Sequence, residues 1–573
     1  MLKAELSTIK NNREEIYNRF CRDMHFGTSG MRGKMGAGTN WMNTITVRRT
    51  TVAVARWLEE IYQQADGLSG QNRAETQNRK ESEELPCKPK RPVAVIGYDT
   101  RLNSELYAQT AAETLLSHGV DVWISSQNMP VPVLSFVVRY LKADCGIMIT
   151  ASHNPKEYNG YKVYDDRGCQ IDEATARCIE EHMAAVDCFD QETATEKGKL
   201  HRFGEEMKEQ YLQALYNNLA FWGEEATRRQ AMAALKICYT PLNGVGYPYV
   251  TEILKRIGIE QRTDVLSQTE ADGNFPTCPS PNPEYLETFK EALKTCEQEE
   301  KAGGEPFDLI LATDPDSDRM GVMVREGGQY TLLSGNQVGE LLFDYLCRVR
   351  LPEGDAESSK DKVVLKSYVS SPMIGRIAAD KGMELKEVFT GFKNIAAYME
   401  KLQEQGRSDA FFFGFEESLG YLYGDYTRDK DGILAAATVC LLAAEQKKQG
   451  KTLADRLEEI YRKYGYLCAG GFSRVYESEK DRPKMDRIMN ILFQNGLKKK
   501  MPGIGKETCY RVQKMYCADF EGGHRLIIRP SGTELKLKTY IFSAGETAEE
   551  ARLTGKRMEE GIRDFIRKVE TYE

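Results

Sequence analysis

Three carboxylates stand at alternate positions in Asp314-Pro315-Asp316-Ser317-Asp318-Arg319. At that spacing they can converge on one hard cation, and carboxylate oxygens suit magnesium or calcium. Crowding three like charges without a cation is costly, which favours a metal site over a solvated acidic turn. An EF-hand loop needs Gly at its sixth position and Glu at its twelfth; Arg319 and Arg325 stand there, so that reading fails. A second group is Thr150-Ala151-Ser152-His153-Asn154-Pro155-Lys156, continuing to Lys162. Ser152 directly after an apolar run, with polar neighbours and a Lys ten residues on, fits an exposed nucleophile or phosphoacceptor. An Asn-Pro turn that happens to hold a Ser and a His is the plain alternative. A serine hydrolase is disfavoured, because His153 is adjacent to Ser152 and must swing back to act as its base, and because the chain has no Gly-x-Ser-x-Gly elbow.

Three further segments offer ligand-binding groups. Gly414-Phe415-Glu416-Glu417-Ser418-Leu419-Gly420-Tyr421 supplies carboxylates and a hydroxyl suited to sugar hydroxyls. Arg529-Pro530-Ser531-Gly532-Thr533-Glu534 combines a guanidinium, two hydroxyls and a Gly whose amide can approach closely, the donors a phosphate monoester needs. Phe26-Gly27-Thr28-Ser29-Gly30-Met31-Arg32-Gly33 sets small residues around one Arg; it is no Walker loop, and such a turn also has a purely structural reading.

Four of these segments need elements to place them. Gly146-Ile147-Met148-Ile149, Leu309-Ile310-Leu311-Ala312, Phe411-Phe412-Phe413 and Leu526-Ile527-Ile528 are short apolar runs that each deliver the chain into one of the polar loops. Ligands of open α/β sheets gather beyond the carboxyl ends of strands, so these loops are candidate walls of one site. Short β-branched runs such as Val93–Ile96 alternate with helical patterns such as Ser104–Ser117, which argues for α/β layers and mostly parallel sheets. The carboxyl-terminal part places alternating residues 535–542 before an amphipathic helix of about 547–569, a separate α+β domain. Polar stretches 64–91 and 351–362 read as loops, and residues 1–20 as one amphipathic helix.

The chain has 573 residues, 41% of them hydrophobic, a length for about three to five domains. A net charge of −8 argues against a general nucleic-acid binder, which needs clustered Lys and Arg. Fourteen scattered cysteines without a Cys-x-x-Cys pair fit a reducing compartment, and the charged amino terminus lacks the apolar core of a signal peptide, so a cytoplasmic protein is expected. The longest strongly apolar run, 432–444, is too short to cross a bilayer and reads as a buried helix. No membrane partner is expected, and no oligomeric state is specified.

In order and internal spacing, TASHNPKEYNGYK, DPDSDR, GFEESLGY and RPSGTE, with the segment around Arg32, resemble the α-D-phosphohexomutase family of phosphoglucomutases and phosphomannomutases over residues 26–538. The resemblance implies four domains around a central cleft, three similar α/β units with mixed sheets and a smaller α+β unit. The expected boundaries are 1–205, 206–325, 326–465 and 466–573. It implies a phosphorylated Ser152, with His153 and Lys162 as polar and cationic neighbours and Arg32 facing the transferring phosphoryl group. Asp314, Asp316 and Asp318 would hold Mg2+ with a Ser152 phosphate oxygen. Arg319, Thr390, Gly391, Lys393, Glu416 and Ser418 would contact the sugar, while Arg529, Ser531, Gly532 and Thr533 would clamp the non-reacting phosphate.

Phosphoryl transfer asks mostly for positioning and charge neutralisation, which these groups supply. The general base stays open. The implied reaction interconverts sugar monophosphates through a bisphosphate that is also the activator, glucose 1,6-bisphosphate for a glucose substrate. The GFEESLGY and RPSGTE forms look like the long glucose- and pentose-directed branches, whereas shorter phosphomannomutases read Gly-Glu-x-Ser-Gly-His and Arg-x-Ser-Asn-Thr. Glucose phosphates are therefore expected first, pentose phosphates second and mannose phosphates third. A silent sugar-phosphate sensor and a metal-dependent phosphatase are the readings from other classes; intact Ser152, Arg32 and aspartates speak against the sensor.

Overall fold

A computed structural model describes residues 2–27, 30–75, 91–187, 194–351, 357–476, 481–531 and 535–571. The chain divides into two units, Met1–Leu333 with Phe392–Gly414 and Ser418–Gln449, and Ser334–Gly391 with Phe415–Glu417 and Gly450–Glu573.

The first unit holds two mixed sheets. One contains β1 (Met31–Lys34), β2 (Val93–Tyr98), β3 (Asp121–Ser125), β4 (Cys145–Ile149), β5 (Tyr158–Asp165) and β6 (Leu200–Phe203) in the order β1-β5-β4-β2-β3-β6. Strands β4, β2, β3 and β6 run parallel, while β5 is antiparallel to both β4 and β1. All five residues of β4 are buried, as the continuous apolar run predicts for a strand covered on both faces. Helices Ser104–Ser117 and Val131–Leu141 pack on it. The first of these has the predicted bounds, and its buried Tyr107, Ala108, Ala111, Ala112 and Leu115 recur at helical spacing.

The second sheet contains β7 (Lys236–Thr240), β8 (Gln261–Asp264), β9 (Leu309–Thr313), β10 (Met320–Glu326) and β11 (Gln329–Leu332) in the order β11-β10-β9-β7-β8. Its parallel core β9-β7-β8 is extended by the antiparallel pairs β9–β10 and β10–β11. Helix Gly432–Lys448 contacts β9 and β10 and is buried along nearly its whole length, which explains its unbroken apolar sequence.

The second unit carries the parallel pair β12 (Val363–Ser367) and β13 (Glu384–Val388). The strand β14 (Phe411–Glu416) enters this unit from the first at Phe415, and β15 (Gly420–Leu422) follows it. The carboxyl-terminal sheet is antiparallel, with β16 (Tyr466–Val475), β17 (Ile504–Tyr510), β18 (Met515–Phe520), β19 (Arg525–Pro530) and β20 (Lys536–Gly545) in the order β16-β20-β19-β18-β17. Helices Arg482–Asn495 and Ala548–Thr571 cover it, and Ile488, Leu492, Ile562 and Phe565 share a core with Leu526, Ile528 and Ile541 of the sheet. This is the expected α+β domain.

Some expectations change. The amino-terminal helix is two helices, Leu2–Ile9 and Arg13–Phe20, because the Asn12 side chain accepts from the Glu15 amide and starts a second one. The supposed loop 64–91 begins as helix: Thr44–Glu75 runs on through its polar end, where Gln, Ala and Glu are good helix formers. Residues 76–90 lie outside the described part. Within 351–362 one helical turn forms at Glu357–Lys360, and 352–356 are not described. Among the described residues no helix is long and apolar enough to cross a membrane.

In the second unit, Glu340 on helix Gly335–Arg350 is buried and accepts hydrogen bonds from the Ser371 hydroxyl and, at 2.9 Å, from the Tyr461 phenol. Burial outweighs these bonds and pushes its carboxyl from 4.5 up to about 7. The folded protein therefore keeps a proton that the unfolded chain releases earlier. That contribution to stability is full below about pH 4.5 and is lost as pH rises through about 7, a span worth roughly 3 kcal/mol. Glu340→Gln should flatten this dependence, measured as denaturation midpoints of both proteins on either side of the window. Parallel profiles would show that Glu340 does not titrate there.

Candidate active site

The β4–β5 connection carries the Ser152 group, and the tight β9–β10 hairpin carries the three aspartates. Asp314, Asp316 and Asp318 are buried, with one oxygen of each within 4.8 Å of the others, so the alternate spacing does converge. Ser317 between Asp316 and Asp318 takes φ 54, a left-handed conformation uncommon for a residue with a Cβ. Gly432 is demanded at the hairpin: a Cβ there would stand 2.6 Å from the Arg319 carbonyl and 2.8 Å from that of Ser317.

Ser152 is 3% exposed, takes φ 51, and donates from Oγ to Asp314 Oδ2 at 2.8 Å. A left-handed backbone is unfavourable for a residue with a Cβ, and strain of this kind collects at functional sites. The Thr150 hydroxyl holds the turn, accepting from the Ser152 amide at 2.8 Å and donating to Asp316 Oδ2 at 3.1 Å. Arg101 braces the loop from below: its guanidinium donates to the carbonyls of Ser152, Asn154, Pro155 and Tyr158 and pairs with Asp99.

His153 does swing back toward Ser152, as its expected place beside that residue requires: Nδ1 lies 3.2 Å from Oγ. Burial together with Arg319 and Arg32 lowers the imidazole well below its ordinary range, so the ring is neutral. Arg32, on β1 opposite Gly160, donates to Asn154 Oδ1 at 3.0 Å. The Gly-rich stretch before it is partly structural, since Gly30 has φ 71 and an added Cβ would meet the Tyr161 carbonyl at 1.9 Å. Thr28 and Ser29 lie outside the described residues.

Two buried ammonium groups face the carboxylates. Lys162, on β5, donates to Asp316 Oδ2 at 3.1 Å and lies 3.9 Å from Asp318 Oδ2; Lys430 donates to Asp318 Oδ2 at 2.7 Å. Burial and the neighbouring carboxylates push Asp314 well above the usual range. Burial acts the same way on Asp316, but Lys162, a bond from Asp314 and Lys430 outweigh it and hold that carboxyl well below. Asp318 is raised by burial and Asp316 against both lysines. Among the described residues, Asp316 Oδ1 and Asp318 Oδ1 are buried without a hydrogen-bond partner. Unmatched, buried carboxylate oxygens on an all-oxygen donor set fit a hard divalent cation.

The remaining expected residues fall as follows. Arg319 lies beside the trio, its Nε 3.8 Å from Asp318 Oδ1 and its Nη1 3.8 Å from Glu284. In the second unit the Gly391 amide donates to Glu416 Oε1 at 2.6 Å, joining the two segments predicted to touch sugar; Thr390 precedes that glycine. The stretch read as a loop at 414–421 is shorter than expected: β14 extends through Glu416 and β15 restarts at Gly420, leaving a turn with Leu419 at φ 63. Lys393 and Ser418 belong to the first unit. Arg529 donates to the Tyr540 phenol at 3.3 Å while its buried Nε has no partner among the described residues, and the Ser531 amide donates to the Lys536 carbonyl at 2.8 Å. Gly532 and Thr533 lie outside the described residues.

Arg101, Thr150 and Lys430 were not singled out by sequence. Lys430 had a signal, the charged run Asp429-Lys430-Asp431 set against an apolar helix. Asp431 caps that helix by accepting from the Ile433 and Leu434 amides at 2.9 and 3.0 Å, which fixes Lys430 at its mouth.

Models of the phosphoglucomutase/phosphomannomutase family match three times in succession: alpha/beta/alpha domain I over residues 81–188, domain II over 209–328 and domain III over 334–464. The chain is 32% identical over 547 residues to a phosphoglucomutase of Staphylococcus epidermidis, covering 90% of each, and 31% identical over 541 residues to one of Staphylococcus aureus, covering 90% of this chain and 89% of that one. Its fold is similar to a phosphoglucomutase/phosphomannomutase family protein from Burkholderia thailandensis (17% identity, TM-score 0.67, 96% of this chain and 98% of that one). It is equally similar to the open form of parafusin, a Paramecium phosphoglucomutase (16% identity, TM-score 0.67, 96% and 95%). With three family domains in order and this identity over nine-tenths of its length, the chain belongs to the phosphoglucomutase/phosphomannomutase family, the α-D-phosphohexomutases.

Proposed function

We propose that this phosphosugar mutase is a phosphoglucomutase, interconverting glucose 1-phosphate and glucose 6-phosphate through a phosphoserine at Ser152 and glucose 1,6-bisphosphate. The observation that carries this reading is the Ser152 hydroxyl bonded to Asp314 at 2.8 Å within a buried three-carboxylate cluster, in a chain 32% identical to a phosphoglucomutase.

In the first half-reaction the P–O bond to Ser152 Oγ breaks and a new P–O bond forms to the free hydroxyl of a sugar monophosphate, whose proton is given up as Ser152 Oγ takes one up. In the second, after the bisphosphate turns end for end, its other phosphate returns to Ser152 Oγ. The net result is isomerisation without phosphate release. Asp314, Asp316 and Asp318 would hold Mg2+, which supplies charge neutralisation to the phosphoryl oxygens when bound. Arg32 and Lys162 add positive charge from the protein. Lys162, paired with Asp316, serves as a cation in this arrangement, and neutral His153 is the polar group beside Ser152. Arg319, Thr390, Gly391, Lys393, Glu416 and Ser418 would orient the sugar.

Arg529, Ser531, Gly532 and Thr533 would clamp the phosphate that does not react. That contact is already made in the ground state, so Arg529→Ala should raise the Michaelis constant about 10- to 100-fold with a smaller effect on kcat, as expected for a charged hydrogen bond worth roughly 1.5–3 kcal/mol. Initial rates against glucose 1-phosphate measure this, and an unchanged constant would remove Arg529 from substrate binding.

The function is tested by a coupled assay with Mg2+ and a trace of glucose 1,6-bisphosphate, offering glucose, ribose and mannose 1-phosphates separately and following free phosphate. Fast formation of glucose 6-phosphate without phosphate release supports the proposal. Preference for ribose or mannose would move the substrate assignment within the family, and phosphate release alone would point to a phosphatase.

A further inference from the structure

Phosphoryl transfer does not use a second cluster of ligand-type side chains, on the outer face of the first unit. Cys178 and His182 stand one turn apart on helix Glu173–Ala184, whose amino end is capped by Asp172. Residues four apart on a helix share a face. That helix packs against Thr44–Glu75, which carries Glu60. The packing is anchored where Arg49 Nε donates to the Met183 carbonyl at 3.0 Å and the Thr50 hydroxyl to Met183 Sδ at 3.3 Å. From it, His182 Nε2 lies 3.1 Å and Cys178 Sγ 3.6 Å from the same oxygen, Glu60 Oε2. One ligand atom of each residue lies within 4.8 Å of the others.

We propose that Glu60, Cys178 and His182 form a metal site for a borderline transition-metal ion of the zinc class, clamping helix Glu173–Ala184 to helix Thr44–Glu75. Zinc bonds of about 2.3 Å to sulfur and about 2.0–2.2 Å to nitrogen and oxygen at tetrahedral angles require S···O and N···O edges of about 3.6 and about 3.4 Å. The first matches the structure and the second is approached within a few tenths of an ångström, while the sulfur and nitrogen lie within 4.8 Å of each other. The donor set separates this site from the aspartate trio: one sulfur, one imidazole nitrogen and one carboxylate oxygen select zinc-class ions over magnesium or calcium, which take oxygen. Thiolate and carboxylate together balance a divalent charge. Three protein ligands leave the fourth position to water, and His182 and Glu60 are 29% and 47% exposed, which gives an ion access from solvent. Binding replaces the thiol proton of Cys178 by a sulfur–metal bond, the proton passing to solvent.

The site is independent of the mutase reading and is tested apart from it. Reduced full-length protein, with excess Mg2+ present to occupy oxygen ligands, is titrated with Co2+ and then Zn2+. Expected are visible bands of tetrahedral cobalt and a near-ultraviolet thiolate-to-cobalt band that saturate at one equivalent, and that one equivalent of Zn2+ abolishes. Cys178→Ser should lose the thiolate band, and His182→Ala should weaken cobalt binding at least about 10-fold. Sugar-phosphate turnover with Mg2+ should be unchanged in both variants. Zn2+ should raise the thermal midpoint of the unaltered protein but not that of Cys178→Ser. Absence of the cobalt spectrum, a thiolate band that persists in Cys178→Ser, or undiminished binding by His182→Ala would overturn the site and leave the trio as a hydrogen-bonded surface contact.

Discussion

Ser152→Ala should lower mutase turnover by at least about four orders of magnitude while the protein still folds, because no other group can take over as the covalent carrier of the phosphoryl group. The fold has little to lose. Alanine keeps the Cβ and so inherits the left-handed strain at φ 51 that serine already bears. What disappears is the hydrogen bond to Asp314, a buried acceptor whose lost donor costs about 1–3 kcal/mol. Ser152→Gly removes the same hydroxyl but relieves about 1–2 kcal/mol of backbone strain. The glycine variant should therefore unfold at a higher temperature than the alanine variant while being equally inactive. Coupled rates and thermal unfolding of the pair separate chemistry from stability, and normal turnover in either would sink the phosphoserine mechanism.

The parts of this site legible in the sequence are those whose information is local. Alternate aspartates converge because the β9–β10 hairpin has few residues in which to do anything else, and apolar runs ending in polar loops betray β4, β9, β14 and the buried centre of β19 because the buried part of a strand is apolar. Groups supplied by tertiary packing were not legible. Lys430 reaches Asp318 across 112 residues, and Arg101 braces a loop more than 50 residues on. The positive φ at Ser152 was not legible either: serine normally avoids that region, and nothing in a Ser-His pair announces it. The same applies to Ser317. The two serines with left-handed backbones sit on the two loops that meet, and the contacts between those loops are what hold both in place.

Asp316→Asn carries the second large effect, because this carboxylate joins the two loops and the charges around it. Its Oδ2 accepts from Lys162 and from Thr150, and its Oδ1 is free for a ligand. Asp314 and Asp318 are pushed upward by their neighbours whereas Asp316 is held down, so Asp316 is the firmest negative charge of the trio. Removing a unit charge some 4 Å from a cation at an effective dielectric of about 20 costs about 4 kcal/mol for each unit of the cation's charge, so at least about three orders of magnitude are expected for Mg2+. The Mg2+ concentration needed for half-maximal rate should rise and the saturated rate fall, with their combined effect at least that size. Stability supplies an independent reading. Mg2+ at about 100 times its dissociation constant should stabilise the unaltered protein by about 2.7 kcal/mol, and the same concentration should do little for the variant. Without Mg2+ the exchange has opposing parts: repulsion on Asp314 and Asp318 falls, while buried Lys162 loses the charge of its closer partner and keeps the carboxylate of Asp318, at 3.9 Å. A metal-free midpoint close to that of the unaltered protein, with the Mg2+-induced shift gone, identifies the trio as the cation site; an Mg2+ shift that survives Asp316→Asn places the cation elsewhere.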